Sequence, residues 1–318
     1  MHPLSRHLRS YLFAVLFVLF LIRTASAQET VFRSEVHLVN MTFSVRGTDG
    51  KTAAGLGVDD FDVLEDGVPQ KIRFFAREDQ LPLSVGLIVD VSSSQDKFIK
   101  RHQHDIETFL KGILRPSDQA FAICFGNHLR LVSDTTSSVS QIIDGLKRFD
   151  KGDMDFPEIG PKEERELGTA LYDATYFSVE EKLRSSNNRR RALILFTDGE
   201  ENSSEHDLID AISAAQDSDV LIFAVRYTQT KHGEMTARNK YGMRVLEHLA
   251  SQTGGSDFDG LHTDLSEAFR QISDELRSLY SIAYQSTNKT QDGTFRKVVI
   301  EPKQSGLRVR AKAGYYAR

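Results

Sequence analysis

The sequence predicts an α/β fold: a doubly wound, mostly parallel sheet in the middle of the chain, joined to a small all-β, sandwich-like domain built from both flanks. Three observations carry this. Short, wholly apolar runs at 85–89, 120–125, 192–196 and 220–225 are of the kind found in the centre of a sheet covered on both faces. Between them, apolar residues recur near helical spacing, as in Phe98, Ile106, Phe109 and Ile113, and in Leu265, Phe269, Ile272, Leu276 and Leu279. Outside them lie short alternating segments split by Asp-Gly turns, which read as β-hairpins.

In chain order, the first 27 residues have three parts: a basic stretch with Arg6 and Arg9, an apolar run over 11–22, and Ala25-Ser26-Ala27 before Gln28. This is the layout of a secretory signal peptide cleaved after Ala27, and a dozen or so apolar residues is short for a bilayer span. An uncleaved anchor is the alternative, with Arg23 ending the apolar run. The residue directly after the cleavage site is Gln28 and not a cysteine, which argues against a lipid anchor. The expectation is an exported chain, periplasmic or secreted and envelope-associated, with no stable membrane span after cleavage.

Residues 28–79 read as a β segment. Val36, Leu38, Met41, Phe43 and Val45 alternate up to the turn Thr48-Asp49-Gly50-Lys51; Phe61 and Val63 lead to Glu65-Asp66-Gly67, and Ile72 and Phe74 follow. Residues 280–318 repeat the texture, with apolar alternation over 280–284, 295–300 and 307–311 broken at Asp292-Gly293 and Ser305-Gly306. Either 31–79 forms a sandwich alone or the two flanks pair. Pairing is favoured, because neither flank has enough strands to bury a core. The α/β domain then occupies 80–279. Alternating strands and helices there argue for a parallel sheet, whose ligands sit at the carboxyl ends of its strands. The polar stretch 150–166, with Pro157, Gly160 and Pro161, reads as a long surface loop.

Composition narrows the function. The 318 residues are 40% hydrophobic and 27% charged, an ordinary globular balance. Removing residues 1–27, which hold three arginines and no acid, takes the formal charge from −5 to −8. A mildly acidic chain lacks the clustered Lys/Arg that nucleic-acid binding needs. Arg189-Arg190-Arg191 precedes an apolar run and reads as a solvated strand entry. The single cysteine, Cys124, excludes an intramolecular disulfide and reads as a buried, inert thiol.

One constellation carries chemistry. Asp90, Ser92 and Ser94 are spaced i, i+2, i+4 just after the first central strand; Thr169 opens a helix in Gly168-Thr169-Ala170-Leu171-Tyr172-Asp173; Asp198 ends another strand in Phe196-Thr197-Asp198-Gly199. Alone, each has a bland explanation: a capping serine, a helix-capping threonine, an Asp-Gly turn. Together they are five hard oxygen donors with two formal charges. Such a set suits Mg²⁺, which takes about six oxygens at roughly 2.0–2.1 Å, with Mn²⁺ or Ca²⁺ as alternatives.

The set resembles the metal-ion-dependent adhesion site of von Willebrand factor type A domains. Phe61-Asp62-Val63-Leu64-Glu65-Asp66-Gly67, Leu83-Ser84-Val85-Gly86-Leu87, the run Gly168 to Ala174 and the closing Gly314-Tyr315-Tyr316 resemble the subfamily called the VWFA-related acidobacterial domain. The resemblance implies a Rossmann-like type A fold with a cation held by Ser92, Ser94 and Thr169. Asp90 and Asp198 would assist, partly through water, and one coordination position would be left for a partner's carboxylate. An ion ringed mainly by neutral hydroxyls is under-neutralised, so an acidic side chain from a protein partner gains Coulombic energy by completing the shell. The implied protein is non-catalytic; envelope assembly, with the metal site joining subunits, is the alternative. The charged stretch before Gly168 departs from the family and would reshape or shield the metal face.

A hydrolase reading has less support. The Gly-x-Ser-x-Gly elbow is absent, and His102 and His104 are expected on a helix with its polar face available. His248 has no histidine four residues on, His232-Gly233-Glu234 lacks a second histidine, and no phosphate-binding Gly-x-x-x-x-Gly-Lys-Ser/Thr occurs.

Overall fold

The computed structural model of the protein describes residues 38–160, 168–228 and 234–318. The signal peptide expected at 1–27, the segment 28–37, residues 161–166 of the long loop, and His232-Gly233 lie outside the described residues. Among the described residues, no helix is long and apolar enough to cross a membrane.

The apolar runs of the middle region become strands of one six-stranded sheet. These are β5 (Leu83–Asp90), β6 (Gln119–Phe125), β8 (Arg190–Thr197) and β9 (Val220–Arg226). The sheet order is β10-β9-β8-β5-β6-β7, with β10 (Asp257–Asp259) at one edge and β7 (Leu129–Thr136) at the other. All neighbours pair parallel except β6 and β7. Every residue of β5 is buried, because helices cover both faces. Leu83, Val85, Leu87 and Val89 face one apolar layer, formed with α1 (Ile99–Ile113), α2 (Val139–Asp150) and α6 (Leu265–Arg277). Ile88, Leu193 and Leu195 face the other, formed with α3 (Leu171–Phe177), α4 (Leu208–Asp217) and α5 (Ala237–Thr253). Gly86 lets the second layer close: a Cβ there would fall 2.4 Å from the Phe121 ring and 2.5 Å from Leu193.

Local chemistry sets the helix ends. Ser138, Thr236 and Asp264 accept backbone N–H groups at the starts of α2, α5 and α6, and Asp207 and Asp210 form a reciprocal capping box on α4. Gly254 ends α5 in the left-handed region at φ +89°. After α3 the helix widens for one turn, where the Arg184 N–H donates to the Val179 carbonyl at 2.8 Å.

Strands from the two ends of the chain form two further four-stranded sheets. The first is β13-β1-β11-β4, with β1 (Val39–Arg46), β4 (Ile72–Arg77), β11 (Tyr280–Tyr284) and β13 (Arg308–Ala311). The second is β14-β12-β2-β3, with β2 (Phe61–Glu65), β3 (Val68–Gln70), β12 (Phe295–Pro302) and β14 (Gly314–Tyr316). Asp66 and Gly67 join β2 to β3 with both φ positive, 49° and 80°, which is what a two-residue hairpin turn requires. Met41, Phe43, Phe61, Val63 and Tyr280 pack within a shared core. Inside it, Glu65 accepts from Tyr284 (2.8 Å), Tyr315 (3.0 Å) and Ser286 (2.5 Å), and pairs with Arg296.

This β layer is bolted to the α/β unit by buried charge. Glu275 on α6 accepts from Arg46 at 2.6 Å and Arg310 at 2.9 Å, and Lys312 pairs with Asp219 at the amino end of β9 at 2.6 Å. Of the three arginines expected at a solvated strand entry, Arg190 is instead buried, donating to the Leu276 carbonyl at 3.0 Å. Its long side chain alternates onto the α6 face of the sheet, as strand periodicity dictates.

Candidate metal centre

The carboxyl ends of β5 and β8 and the start of α3 meet at one cleft of about 870 Å³. Ser92, Ser94 and Thr169 line it, together with Gly126, Asn127, His128, Glu200 and Arg238. Asp90 and Asp198 do not line it; they are 0% and 3% exposed. The five residues singled out in the sequence therefore fall into two sets at one place, three hydroxyls open to the cleft and two carboxylates withdrawn from solvent.

Backbone geometry explains the first set. β5 ends at Asp90, and the Val91 N–H continues pairing with Phe125 at 2.9 Å before the chain turns. In that turn the Ser92 N–H donates to Asp90 Oδ1 at 2.9 Å, and the Ser92 and Ser94 hydroxyls come within 3.1 Å of each other. Thr169 is held from across the cleft. Its N–H donates to Asn202 Oδ1 at 2.8 Å, and the Asn202 N–H donates to the Thr169 carbonyl at 3.1 Å. Gly168 precedes it at φ +148°, where a Cβ would meet Ser203 at 2.4 Å, so the chain turns here only with glycine.

The carboxylates are fixed by residues the sequence reading did not single out. Thr197 donates to Asp90 Oδ2 at 2.5 Å and accepts from the Gly199 N–H at 3.1 Å. Gln95, fully buried, donates to Asp198 Oδ2 at 2.8 Å and reaches the Tyr227 carbonyl at 3.3 Å. Asp198 Oδ1 accepts from the Glu200 N–H at 3.0 Å. Gly199 and Gly242 touch so closely that a Cβ on Gly199 would lie 2.3 Å from the Gly242 carbonyl, which seats α5 against the Asp198 turn. Thr197 and Gln95 stand next to predicted donors in the sequence; Asn202 has no such signal.

Electrostatics distinguish this pair of acids from an ordinary polar cluster. Burial, and then the charge of Asp198, push the Asp90 carboxyl up to about 7. Among the described residues, no lysine or arginine pairs with either acid: of the arginines that line the cleft, Arg238 is engaged by Glu200 at 2.9 Å and Arg130 by Glu158 at 2.9 Å. Two buried carboxylates without a cationic side chain, beside three hydroxyls, match the hard-oxygen donor set of Mg²⁺ or a similar divalent ion. Among the described residues, no three Asp, Glu, His or Cys side chains are placed so that they could hold a metal ion between them, so the fit rests on hydroxyls as much as on charge.

The stretch before Gly168 is not wholly a free loop. The Leu131 N–H donates to the Pro157 carbonyl and the Ile159 N–H to the Leu129 carbonyl, so 157–159 run along β7, and Arg130 pairs with Glu158 at 2.9 Å. His102, expected on the polar face of its helix, is buried, packed edge-on against Tyr227 with ring centroids 4.4 Å apart.

A family model described as the von Willebrand factor type A domain matches residues 85–275. The comparison with curated proteins gives no match. Solved structures similar to the chain include an aerotolerance-related membrane protein from Bacteroides fragilis NCTC 9343, at 16% identity and a TM-score of 0.45, covering 61% of this chain and 98% of that one. The conserved hypothetical protein BatB from Bacteroides thetaiotaomicron is 19% identical, with a TM-score of 0.44, covering 62% and 100%. Proximal thread matrix protein 1 from the mussel byssus, in a structure with a zinc-occupied MIDAS motif, is 15% identical, with a TM-score of 0.44, covering 67% and 49%. With the family match extending from β5 into α6 and enclosing the whole donor set, the chain belongs to the von Willebrand factor type A domain family.

Proposed function

We propose that this is an exported, non-catalytic binding protein that captures an acidic side chain of a protein partner through a divalent cation, Mg²⁺ foremost. Ser92, Ser94 and Thr169 would hold the ion from the cleft wall, with Asp90 and Asp198 supporting it from behind. The observation that carries the reading is the buried, mutually repelling pair Asp90 and Asp198 beside three cleft-lining hydroxyls. A bound divalent ion supplies counter-charge and an open coordination position. The residues themselves orient donors: Asn202 fixes Thr169, Thr197 and the Ser92 N–H fix Asp90, and Gln95 fixes Asp198. Export follows from the tripartite N-terminus. In support of a non-catalytic role, the Ser92 and Ser94 hydroxyls hydrogen-bond each other, and no described histidine hydrogen-bonds either.

The test is capture from envelope and culture-medium extracts with residues 28–318 in Mg²⁺, eluted by chelator, with Asp198→Ala as control. A protein released by chelator and missed by the variant is the expected result. Equal capture by the variant would remove the metal from recognition. Asn202→Ala, which lets Thr169 drift, should weaken Mg²⁺ binding about 10- to 100-fold at an unchanged melting temperature; a calorimetric titration showing parental affinity would mean Thr169 is held by other means.

A further inference from the structure

The sheet β14-β12-β2-β3 turns one face onto the β core and the other outward. Along β12 the burial alternates strictly, with Arg296, Val298 and Ile300 inside and Phe295, Lys297, Val299 and Glu301 outside. The outward face of a half-buried antiparallel sheet is ordinarily polar. Here Val299 stands beside Leu64, and Leu64 beside Pro69, so one apolar row crosses three strands. Phe295 pairs with Tyr316 at the end of the face, with ring centroids 5.2 Å apart. Val299, Phe295 and Pro69 are all exposed.

The charges along β12 are antisymmetric about Val299. Lys297 lies two residues to one side and Glu301 two to the other; four residues out, Phe295 is matched by Lys303, where the exposed alternation continues past Pro302. A twofold axis in the plane of the face, crossing β12 at Val299, lays a second copy over the first with its β12 antiparallel. Lys297 then meets Glu301 of the second copy, Val299 meets its own counterpart, and the Lys303 ammonium comes over the Phe295 ring. The other charges nearby are engaged within the chain. Asp62 pairs with Lys303 at 3.4 Å, an exposed contact of the weakly held kind, and Asp66 accepts from the Lys297 N–H at 2.9 Å. Arg318, over the Tyr316 ring, pairs with Asp217 of α4 at 3.2 Å. A row that reads the same after reversal and exchange of sign fits a surface to itself, which an unrelated partner would not require.

We infer that this face joins two copies of the protein into a symmetric dimer, with the β12 strands antiparallel across the axis. Four strands about 4.8 Å apart, and eight residues rising about 3.3 Å each, bound the face at about 500 Å² per copy. That is near the lower limit for a specific interface, so association falls in the micromolar range. The β layer is bolted to the amino end of β9, whereas Ser92, Ser94 and Thr169 open at the carboxyl ends of the strands, so both clefts stay free. Two clefts on one dimer would let it grip a repeated partner at two points.

Sedimentation velocity of the protein, over a concentration series from about 1 μM to about 1 mM, brackets that range. Expected is a monomer–dimer equilibrium that is the same in Mg²⁺, in chelator and in Asp198→Ala. Val299→Arg, an exposed change on the axis that sets two like charges together, should leave only monomer. Lys297→Glu and Glu301→Lys should each weaken the dimer at least tenfold, and the double change, which restores opposite pairing, should return it to within about threefold of the parent. That rescue guards against a single change acting through the fold. A monomer at every concentration, a dimer that survives Val299→Arg, or a double variant as weak as the singles would overturn the inference. Because the dimer needs no cation, a failed metal reading would leave it intact, and a monomeric parent would leave Mg²⁺ binding intact.

Discussion

Asp90→Asn is expected to yield a protein that melts higher than the parent in chelator and no longer responds to divalent cation. The parent keeps a carboxyl in full burial next to Asp198, and its pKa rises from 3.8 to about 7. At about 1.4 kcal/mol per pH unit, charging it in the folded state costs on the order of 4 kcal/mol. The sign follows from proton counts. Between pH 3.8 and about 7 the folded chain keeps a proton that the unfolded chain has lost, so without cation the parent loses stability as pH rises through that window. Asparagine does not titrate, and its amide still accepts from the Ser92 N–H and donates to Thr197. The stability gap between variant and parent should therefore be small at pH 4 and reach roughly 4 kcal/mol near pH 8, or about 10 °C in melting temperature. In Mg²⁺ the parent alone should gain, by about 2.7 kcal/mol at a hundredfold excess over Kd. Scanning calorimetry at the two pH values, with and without chelator, reads all four numbers. A variant less stable than the parent in chelator would show that the acid pair is not strained.

Glu65→Ala should be the most damaging single change in the β layer. Its carboxylate takes hydrogen bonds from two tyrosines and a serine and faces Arg296, and both Glu65 and Arg296 are 3% exposed. Removing one side of a buried pair leaves the other charge unmatched, at a cost of about 3–5 kcal/mol. Because β2, β11 and β12 come from opposite ends of the chain, the loss falls on the seam that joins them. The double variant Glu65→Leu with Arg296→Met, which removes both charges and keeps volume, should recover most of the loss. Denaturant titration of the single and double variants decides; a single variant within about 1 kcal/mol of the parent would mean that the arginine finds new partners, such as the Asn288 and Thr290 carbonyls it already contacts.

What the sequence could disclose was set by range. The four central strands were legible because burial on both faces leaves unbroken apolar runs, as in Leu193 to Phe196. β7 gives no such run because an edge strand carries Arg130, Ser133 and Asp134 among its apolar residues, and β10 gives none because it is only three residues long. Alternation marks Val39–Arg46 as a strand but says nothing of its place between β13 and β11, whose residues lie more than 200 positions away. At the metal centre, the donor types and their i, i+2, i+4 spacing were readable. The pairs that orient them were not: Thr197 with Asp90 and Gln95 with Asp198 span 107 and 103 residues. His102 shows the limit on the helix side, since hydrophobic periodicity counts an imidazole as polar and cannot see that this one turns inward.

The most direct test of the central claim is a Mg²⁺ titration of metal-stripped protein by calorimetry, run beside Thr169→Ala and Asp198→Ala. The account predicts one ion per chain, weakened at least tenfold by losing the Thr169 hydroxyl and abolished by losing the Asp198 carboxylate, with all three proteins folded. No binding by the parent, or equal affinity in the three, would contradict it and leave the buried acids as a structural feature only.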